Sequence, residues 1–447
     1  MNTIFIFRRD LRIFDNSALS KLKETYPTAK ILPIFIFNKK QIDKNTNKYY
    51  STNSVQFLFE SLEEIPHLNC YYTDDDLTIL NDLKKRFNVK AIAFNKDYTP
   101  FAINRDKEIG DWCKENEIDC ITAEDYSLFK IGSVMKDDNN PYLKFTPFYR
   151  KAIIKKPEAV KNTYEKDFTF FDDNKSKSLD DLKFLRPSPN PNLKVNGGRK
   201  RGLEILKKVK DNYFKNYDDE RDYPYLDKTT KMSAFIKFGC LSIREIYFSL
   251  PVKHGLVREL IWREFYIYIN FFFPHIYGSA YNKKYEKVKW DNNNSYFEKW
   301  KAGMTGFPLV DASMRQLNTT GWLHNRCRMI VASFLTKNLF IDWRWGEQYF
   351  ASKLVDYDPS SNNGGWQWCA STGTDSQPYF RIFAPSAQLE KFDKECLYVK
   401  KWIPELRDVD NKIILNWEKN NNYNINYPKP IVDAKQTAKN FITHFAN

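Results

Sequence analysis

Histidine is scarce in this chain, cysteine is scattered, and no apolar run is long enough to cross a membrane. Only five histidines occur among 447 residues, and none falls into the short His and Cys spacings that structural zinc requires, so no metal site is expected. The seven cysteines, Cys70, Cys113, Cys120, Cys240, Cys327, Cys369 and Cys396, are odd in number and never form a C-x-x-C pair. That pattern fits a reducing compartment rather than a disulfide scaffold. Arg8 and Arg9 interrupt the N-terminal apolar run, and the greasiest later stretch, residues 265–273, contains Asn270 and is followed by Pro274. Neither a secretory leader nor a membrane span is expected. Internal repeats are absent, and the Asn-rich stretches near Asn292 and Asn420 read as loops.

Aromatic residues and positive charge are what the chain has in quantity. With 35 Phe, 27 Tyr and 11 Trp, it can bury a large apolar area without staples. Its length exceeds what one core usually organises, so two domains are expected. A formal charge of +14 favours polyanionic partners such as nucleic acid.

Residues 3–7, 31–37 and 91–94 are nearly all apolar and rich in β-branched and aromatic side chains, as strands covered on both faces would be. Helix-compatible stretches at 54–64 and 77–87 lie between them, which predicts a Rossmann-like α/β domain with a parallel sheet over residues 1–127. From 128 to 198 the pattern dissolves into Asp, Asn, Lys and Pro, and reads as a connector. Residues 199–447 show helical periods and predict a mostly α-helical domain.

Five segments of the helical region could carry chemistry. Thr229, Thr230, Met232 and Ser233 precede an apolar run, where hydroxyls either cap a helix or bind phosphate, capping being the commoner use. Glu259, Trp262 and Arg263 share one helix face, which a surface ion pair beside a buried indole would also explain. In His324-Asn325-Arg326-Cys327-Arg328-Met329, Arg326 and Met329 lie together while Arg328 points roughly 200° away from Arg326. Asp356-Tyr357-Asp358 leads into Asn362-Asn363-Gly364-Gly365-Trp366-Gln367-Trp368, where paired glycines permit close approach and the two indoles face different ways. Ser371 to Asp375 and Pro378 to Pro385 combine turn formers, aromatics and Arg381, suited to a strand-free platform touching phosphates and bases.

At these residues the chain resembles the DNA photolyase and cryptochrome family, and within it the class I cyclobutane pyrimidine dimer photolyases. The resemblance runs from Phe7-Arg8-Arg9-Asp10-Leu11-Arg12, with Asp15-Asn16, to about Leu406. It is carried most specifically by Gly321-Trp322-Leu323-His324-Asn325-Arg326, by the Asn362 to Trp368 run and by Tyr379-Phe380-Arg381-Ile382-Phe383-Ala384-Pro385.

The resemblance implies FAD, active as FADH⁻, folded into the helical domain and lined by Tyr217, Thr229, Thr230, Met232, Ser233, Arg263, Asp356, Asp358 and Asn362, with Asn362 at the flavin N5. It implies a buried Arg328 and Asp356 ion pair above the ring, and an indole relay of Trp366, Trp343 and Trp290 with Trp345 as an additional neighbour. Glu259, Trp262, Arg326, Met329 and Trp368 correspond to the cavity for a flipped-out lesion, with Arg221 and Arg381 on the DNA backbone. The implied activity is that of a carbon–carbon lyase repairing cyclobutane dimers in UV-damaged DNA by light-driven electron transfer. A cryptochrome-type blue-light photoreceptor and a (6-4) photolyase are the alternatives. A monomer is expected, in the cytoplasm or wherever the DNA is, nucleoid or nucleus, and not secreted. Leu256 departs from relatives that place an indole there. The Asp97 to Ala102 segment lacks the acidic residue of some folate-binding members. A second chromophore, methenyltetrahydrofolate or a deazaflavin, is therefore left open.

Overall fold

The structure is a computed structural model that describes residues 1–419 and 425–446, so the loop reading at Asn420 lies outside the described residues. Strands β1 (Asn2–Phe7), β2 (Lys30–Asn38), β3 (Asn69–Thr73), β4 (Val89–Asn95) and β5 (Asp119–Ala123) form a parallel sheet in the order β3-β2-β1-β4-β5. Along β1, Phe5 and Phe7 enter one core and Ile4 and Ile6 the other, as side chains alternating across a strand must when helices cover both faces.

The connector is more structured than its composition suggests. Thr169–Phe170 forms a sixth strand, β6, parallel to β2. Phe145–Ile153 is a helix whose Phe145, Phe148 and Ala152 are buried. Phe148 lies 5.5 Å from Phe265 and 5.2 Å from Tyr268, ring centre to ring centre. This amphipathic spacing pins the segment to the long helix Gly255–Phe272, which ends just before Pro274.

After residue 198 the described residues contain helices and no strand. The helices Asn294–Ala302, Pro308–Thr320, Asn325–Ser333, Trp343–Lys353 and Pro359–Ala370 enclose an aromatic core that includes Trp300, Phe307, Trp343 and Trp366. Beyond Ser333 the helix widens into a π-helical turn, Phe334–Asn338, a feature often found near functional sites. No described helix is long and apolar enough to cross a membrane.

A buried charge cluster joins the α/β part to the helical part. Asp125 accepts from Arg12 at 2.6 Å and from Arg244 at 2.7 Å, and Arg244 also reaches Asp15 at 3.0 Å. Burial pushes the Asp125 carboxyl up, but the two guanidinium groups outweigh it and hold the group well below the usual carboxylate range.

Candidate active site

The capping expected of Thr229 to Ser233 does not form. The short helix Ser233–Lys237 begins at Met232 without a side-chain cap, because Ser233 donates instead to Asp356 at 2.6 Å. Thr230 accepts only a long bond from the Met232 N–H, 3.5 Å. Thr229 Oγ1 is buried with no partner. Arg328 reaches the same Asp356 carboxylate at 2.8 Å and anchors its Nε on the Leu323 carbonyl. Ser233, Arg328 and Asp356 therefore form one unit.

Asp358 belongs to a second unit. It caps the helix Pro359–Ala370 and receives Arg9 at 2.5 Å and the Tyr126 hydroxyl. The guanidinium groups of Arg9 and Arg263 each lie 4.0 Å from the Tyr126 ring centre. Burial raises the Asp358 carboxyl, yet Arg9 and Arg263 hold it well below its ordinary range. Arg263 bonds Glu264 and the Tyr126 carbonyl rather than Glu259, and its Nη2 is buried without a partner.

The helix Pro359–Ala370 carries three of the expected residues, Asn362 and Trp366 one turn apart on the same side and Trp368 on another. Asn362 donates to the Glu347 carbonyl at 3.1 Å. Burial pushes the neighbouring Glu347 carboxyl up to about 7. A side chain at Gly364 would collide with the Tyr266 ring, so this helix sits directly against Gly255–Phe272. A side chain at Gly365 would meet nothing within 4 Å, which leaves open space on that face. Together with the unpartnered Thr229 and Arg263 atoms, this space is the kind a polar, pyrophosphate-bearing cofactor fills.

Glu259 pairs with Arg221, across which Tyr217 packs. Arg326 pairs with Asp222 at 2.7 Å and lies 4.5 Å from the Phe392 ring centre. Burial raises the Glu259 carboxyl despite Arg221. Trp262 stacks on Phe145 of the connector helix, 3.6 Å between ring centres and 6° from parallel. Met329 and Trp368 are half-buried, and Cys369 Sγ lies 3.8 Å from the Met329 carbonyl oxygen, which brings the helices of these two residues together. Arg381 is exposed, and its carbonyl accepts from Lys337 at 2.9 Å. Lys337 is itself almost wholly buried and also donates to Ser371 at 2.9 Å. Leu256 is buried in the first turn of Gly255–Phe272.

Trp366 and Trp343 are buried, and Trp290 is half-buried beside Phe340 and Phe445. Among the described residues, ring contacts run from Trp366 to Phe350 at 5.0 Å and Trp300 at 6.2 Å rather than to Trp343. A side chain at Gly346 would strike the Trp366 ring, so glycine there lets the indole seat.

Sequence reasoning missed Phe145, Asp222, Arg9, Tyr126, Trp300 and Lys337. Only Phe145 left a readable signal, through the Phe145, Phe148 and Tyr149 spacing. It also missed a cleft of about 680 Å³ at the C-terminal ends of the strands, lined by Asn38, Asp74, Asp75, Phe101, Arg105 and Glu108 among others. Such crevices, where strand order reverses, are the usual ligand positions of doubly wound sheets.

Comparison with known proteins agrees with this architecture. The family described as DNA photolyase matches residues 3–163, and that described as the FAD binding domain of DNA photolyase matches residues 256–447. A deoxyribodipyrimidine photo-lyase of Buchnera aphidicola is 35% identical over 98% of this chain and 95% of its own length. The crystal structure of an archaeal photolyase from Sulfolobus tokodaii with two FAD molecules is 38% identical, with a TM-score of 0.89 over all of both chains. A class III photolyase from Agrobacterium tumefaciens is 29% identical, with a TM-score of 0.91 over 100% of this chain and 97% of that one. With both parts of the chain matched and full-length relatives above 30% identity, the protein belongs to the DNA photolyase family.

Proposed function

We propose that the protein repairs cyclobutane pyrimidine dimers in DNA under blue light, with FAD held in the helical part. The observation that carries the reading is that one helix, Pro359–Ala370, carries Asn362, Gly365 with open space beside it, Trp366 in the aromatic core, and Trp368 next to Cys369, whose Sγ lies against the Met329 carbonyl. The cofactor and lesion sites then share a wall.

Thr229, Thr230, Met232, Ser233 and Arg263 would hold the dinucleotide, Tyr217 and Asp358 would bound it from the neighbouring clusters, and Asn362 would meet the ring at N5. When bound, reduced flavin supplies an excited-state electron to the lesion and receives it back. Arg328 and Asp356 fix the electrostatics beside the ring. Trp262 and Trp368 would wall the pyrimidine rings, and Glu259 would hydrogen-bond the polar edge of the dimer. Arg326, Arg221 and Arg381 meet phosphates, consistent with the +14 charge. Trp366, Trp343 and Trp290 would reduce oxidised flavin. We place a second chromophore in the cleft of the α/β domain. The Sulfolobus tokodaii structure holds two FAD molecules, so a flavin joins folate and deazaflavin as a choice for it.

The test is illumination of the reduced, flavin-loaded protein with an oligonucleotide carrying one cyclobutane dimer, followed by chromatography. Restored pyrimidines in the light and none in the dark are expected. Binding and flavin photoreduction without repair would instead favour the photoreceptor reading.

The platform residues give a second expectation. Lys337 is buried, which pulls its ammonium down to about 8, and it ties Ser371 and the Arg381 carbonyl to the helical core. Lys337→Met should leave the flavin spectrum unchanged but weaken binding of lesion-bearing duplex about tenfold, equivalent to 1.4 kcal/mol, as measured by fluorescence anisotropy.

A further inference from the structure

We propose that Cys113 and Cys120 form a reversible dithiol–disulfide site, oxidised by a hydroperoxide at Cys120 and closed by Cys113, which clamps the helix Pro100–Glu115 to the edge of the sheet. Both cysteines lie outside the residues assigned to cofactor and lesion, so the inference stands apart from the repair reading.

The chain brings the two thiols together by local rules. The helix Pro100–Glu115 ends shortly after Cys113, where the Ile118 N–H returns to the Cys113 carbonyl at 2.9 Å and Glu117 takes a left-handed φ of 54°. β5 then begins at Asp119 and runs beside β4, with Cys120 opposite Ile92 and Ile121 opposite Ala93. Side chains alternate across a strand. Ile121 and Ala93 enter the core that holds Phe5 and Phe7, so Cys120 faces the other side, where Ile92, Ile109 and Cys113 pack. There the two thiols hydrogen-bond to each other. β5 ends the main strand order, so a small shift of Cys120 towards its partner disturbs little else.

The two sulfurs are unequal. Cys113 is 1% exposed, whereas Cys120 is the exposed one of the seven cysteines. The hydrogen bond from Cys113 pulls the Cys120 thiol below its ordinary range, against burial and Asp106 and with help from Arg8. The same hydrogen bond, together with burial, pushes Cys113 up and keeps it a thiol. Burial also pushes up Cys70, Cys240, Cys327, Cys369 and Cys396, which leaves them unreactive.

The chemistry balances with the hydroperoxide as oxidant. The Cys120 thiolate attacks its outer oxygen, the O–O bond breaks, and Cys120 becomes a sulfenic acid while the alkoxide or hydroxide that leaves takes a proton from water. The Cys113 sulfur then attacks the Cys120 sulfur, the S–O bond breaks, and the departing hydroxide takes the Cys113 proton and leaves as water. Two thiols lose two electrons, which reduce the peroxide bond. A dithiol reverses the step by exchange. The clamped helix supplies Phe101, Asn104, Arg105 and Glu108 to the cleft of the α/β domain, so oxidation acts on one wall of that cleft.

The flavin-loaded protein would be treated with hydrogen peroxide, alkylated and digested with trypsin, which cuts after Lys114 and puts the two cysteines on separate peptides. Mass spectrometry should find these peptides linked, released by dithiothreitol, and formed about tenfold or more faster than oxidation at the buried cysteines. In Cys113→Ser, a 1,3-dione should trap sulfenic acid at Cys120. In Cys120→Ser, Cys113 should stay a free thiol. Amide exchange across Pro100–Glu115 should slow about threefold or more in the bridged protein. The link is read in the parental protein, so it does not depend on a variant folding. Absence of the linked pair, or oxidation of Cys113 in Cys120→Ser at the parental rate, overturns the site. A bridge that forms with exchange unchanged overturns the clamp.

Discussion

Asp125→Ala should destabilise the protein by about 3–5 kcal/mol, the range for removing one partner of a buried ion pair. Arg12 loses its carboxylate and Arg244 keeps only Asp15, and neither reaches solvent: their side chains are 2% and 4% exposed. The loss falls at the junction of the two parts of the chain, so both should unfold at lower temperature, by about 3–5 °C in a thermal melt. Asp125→Asn keeps hydrogen-bonding atoms but not the charge, and should lie between. The pH dependence follows from the depressed carboxyl. A group whose folded-state value lies below its unfolded one contributes stability above the unfolded value, near 3.9, and loses it as pH falls through the folded value. The gap between parent and Asp125→Asn should therefore be flat from neutrality to about pH 4 and narrow only in stronger acid. A gap already closing at pH 6, or a variant as stable as the parent, would show that the cluster does not hold the junction.

Reduced and illuminated, the protein should restore cyclobutane dimers about 10²-fold faster than (6-4) photoproducts, the contribution of one positioned general acid. Opening the cyclobutane ring needs an electron and a close apolar wall, whereas reversing a (6-4) product also needs a proton to move an oxygen-bearing group back. At position 329 a thioether stands where that chemistry would call for an imidazole, and it cannot donate a proton. His324 is nearby in sequence but is 2% exposed, accepts the Arg326 N–H through Nδ1, and is pushed down to about 4 by burial, so it is a neutral helix cap. Glu259 is the acid assigned to the proposed cavity, and it is engaged by Arg221. Chromatography of both repaired oligonucleotides decides the matter. Comparable rates would sink the specificity, and their loss in Glu259→Gln would identify the acid responsible.

The three strands legible in the sequence, β1, β2 and β4, lie inside the sheet, where both faces are covered and the central positions are nearly all apolar. β3 and β5 lie at the ends of the main order. Their sequences, Asn69-Cys70-Tyr71-Tyr72-Thr73 and Asp119-Cys120-Ile121-Thr122-Ala123, mix polar and apolar residues and give no clear period. In the helical part, spacing separated Arg326 from Arg328, and the structure gives them Asp222 and Asp356 as separate partners. Spacing could not name those partners, because each is set by tertiary packing across 104 and 28 residues of chain. The same limit explains why helical spacing groups Glu259 with Arg263, whereas its partner in the fold is Arg221. It also explains why the hydroxyls before Ser233 looked like caps, since a helix start seen alone cannot reveal a buried Asp356 competing for the serine.

Phe145 changes what counts as a transplantable piece of this protein. Its ring covers one face of Trp262, and its N–H is held by Asp375 at 3.1 Å, so the segment preceding the helical region is bolted to it at two points. A chimera joined after residue 198 would separate Trp262 from the ring it stacks on and leave a foreign residue, or none, on that face. Exchanging lesion preference between relatives therefore calls for a crossover upstream of 145. The proposed cavity is a surface assembled from distant stretches of chain, and cutting by apparent domain limits would divide it.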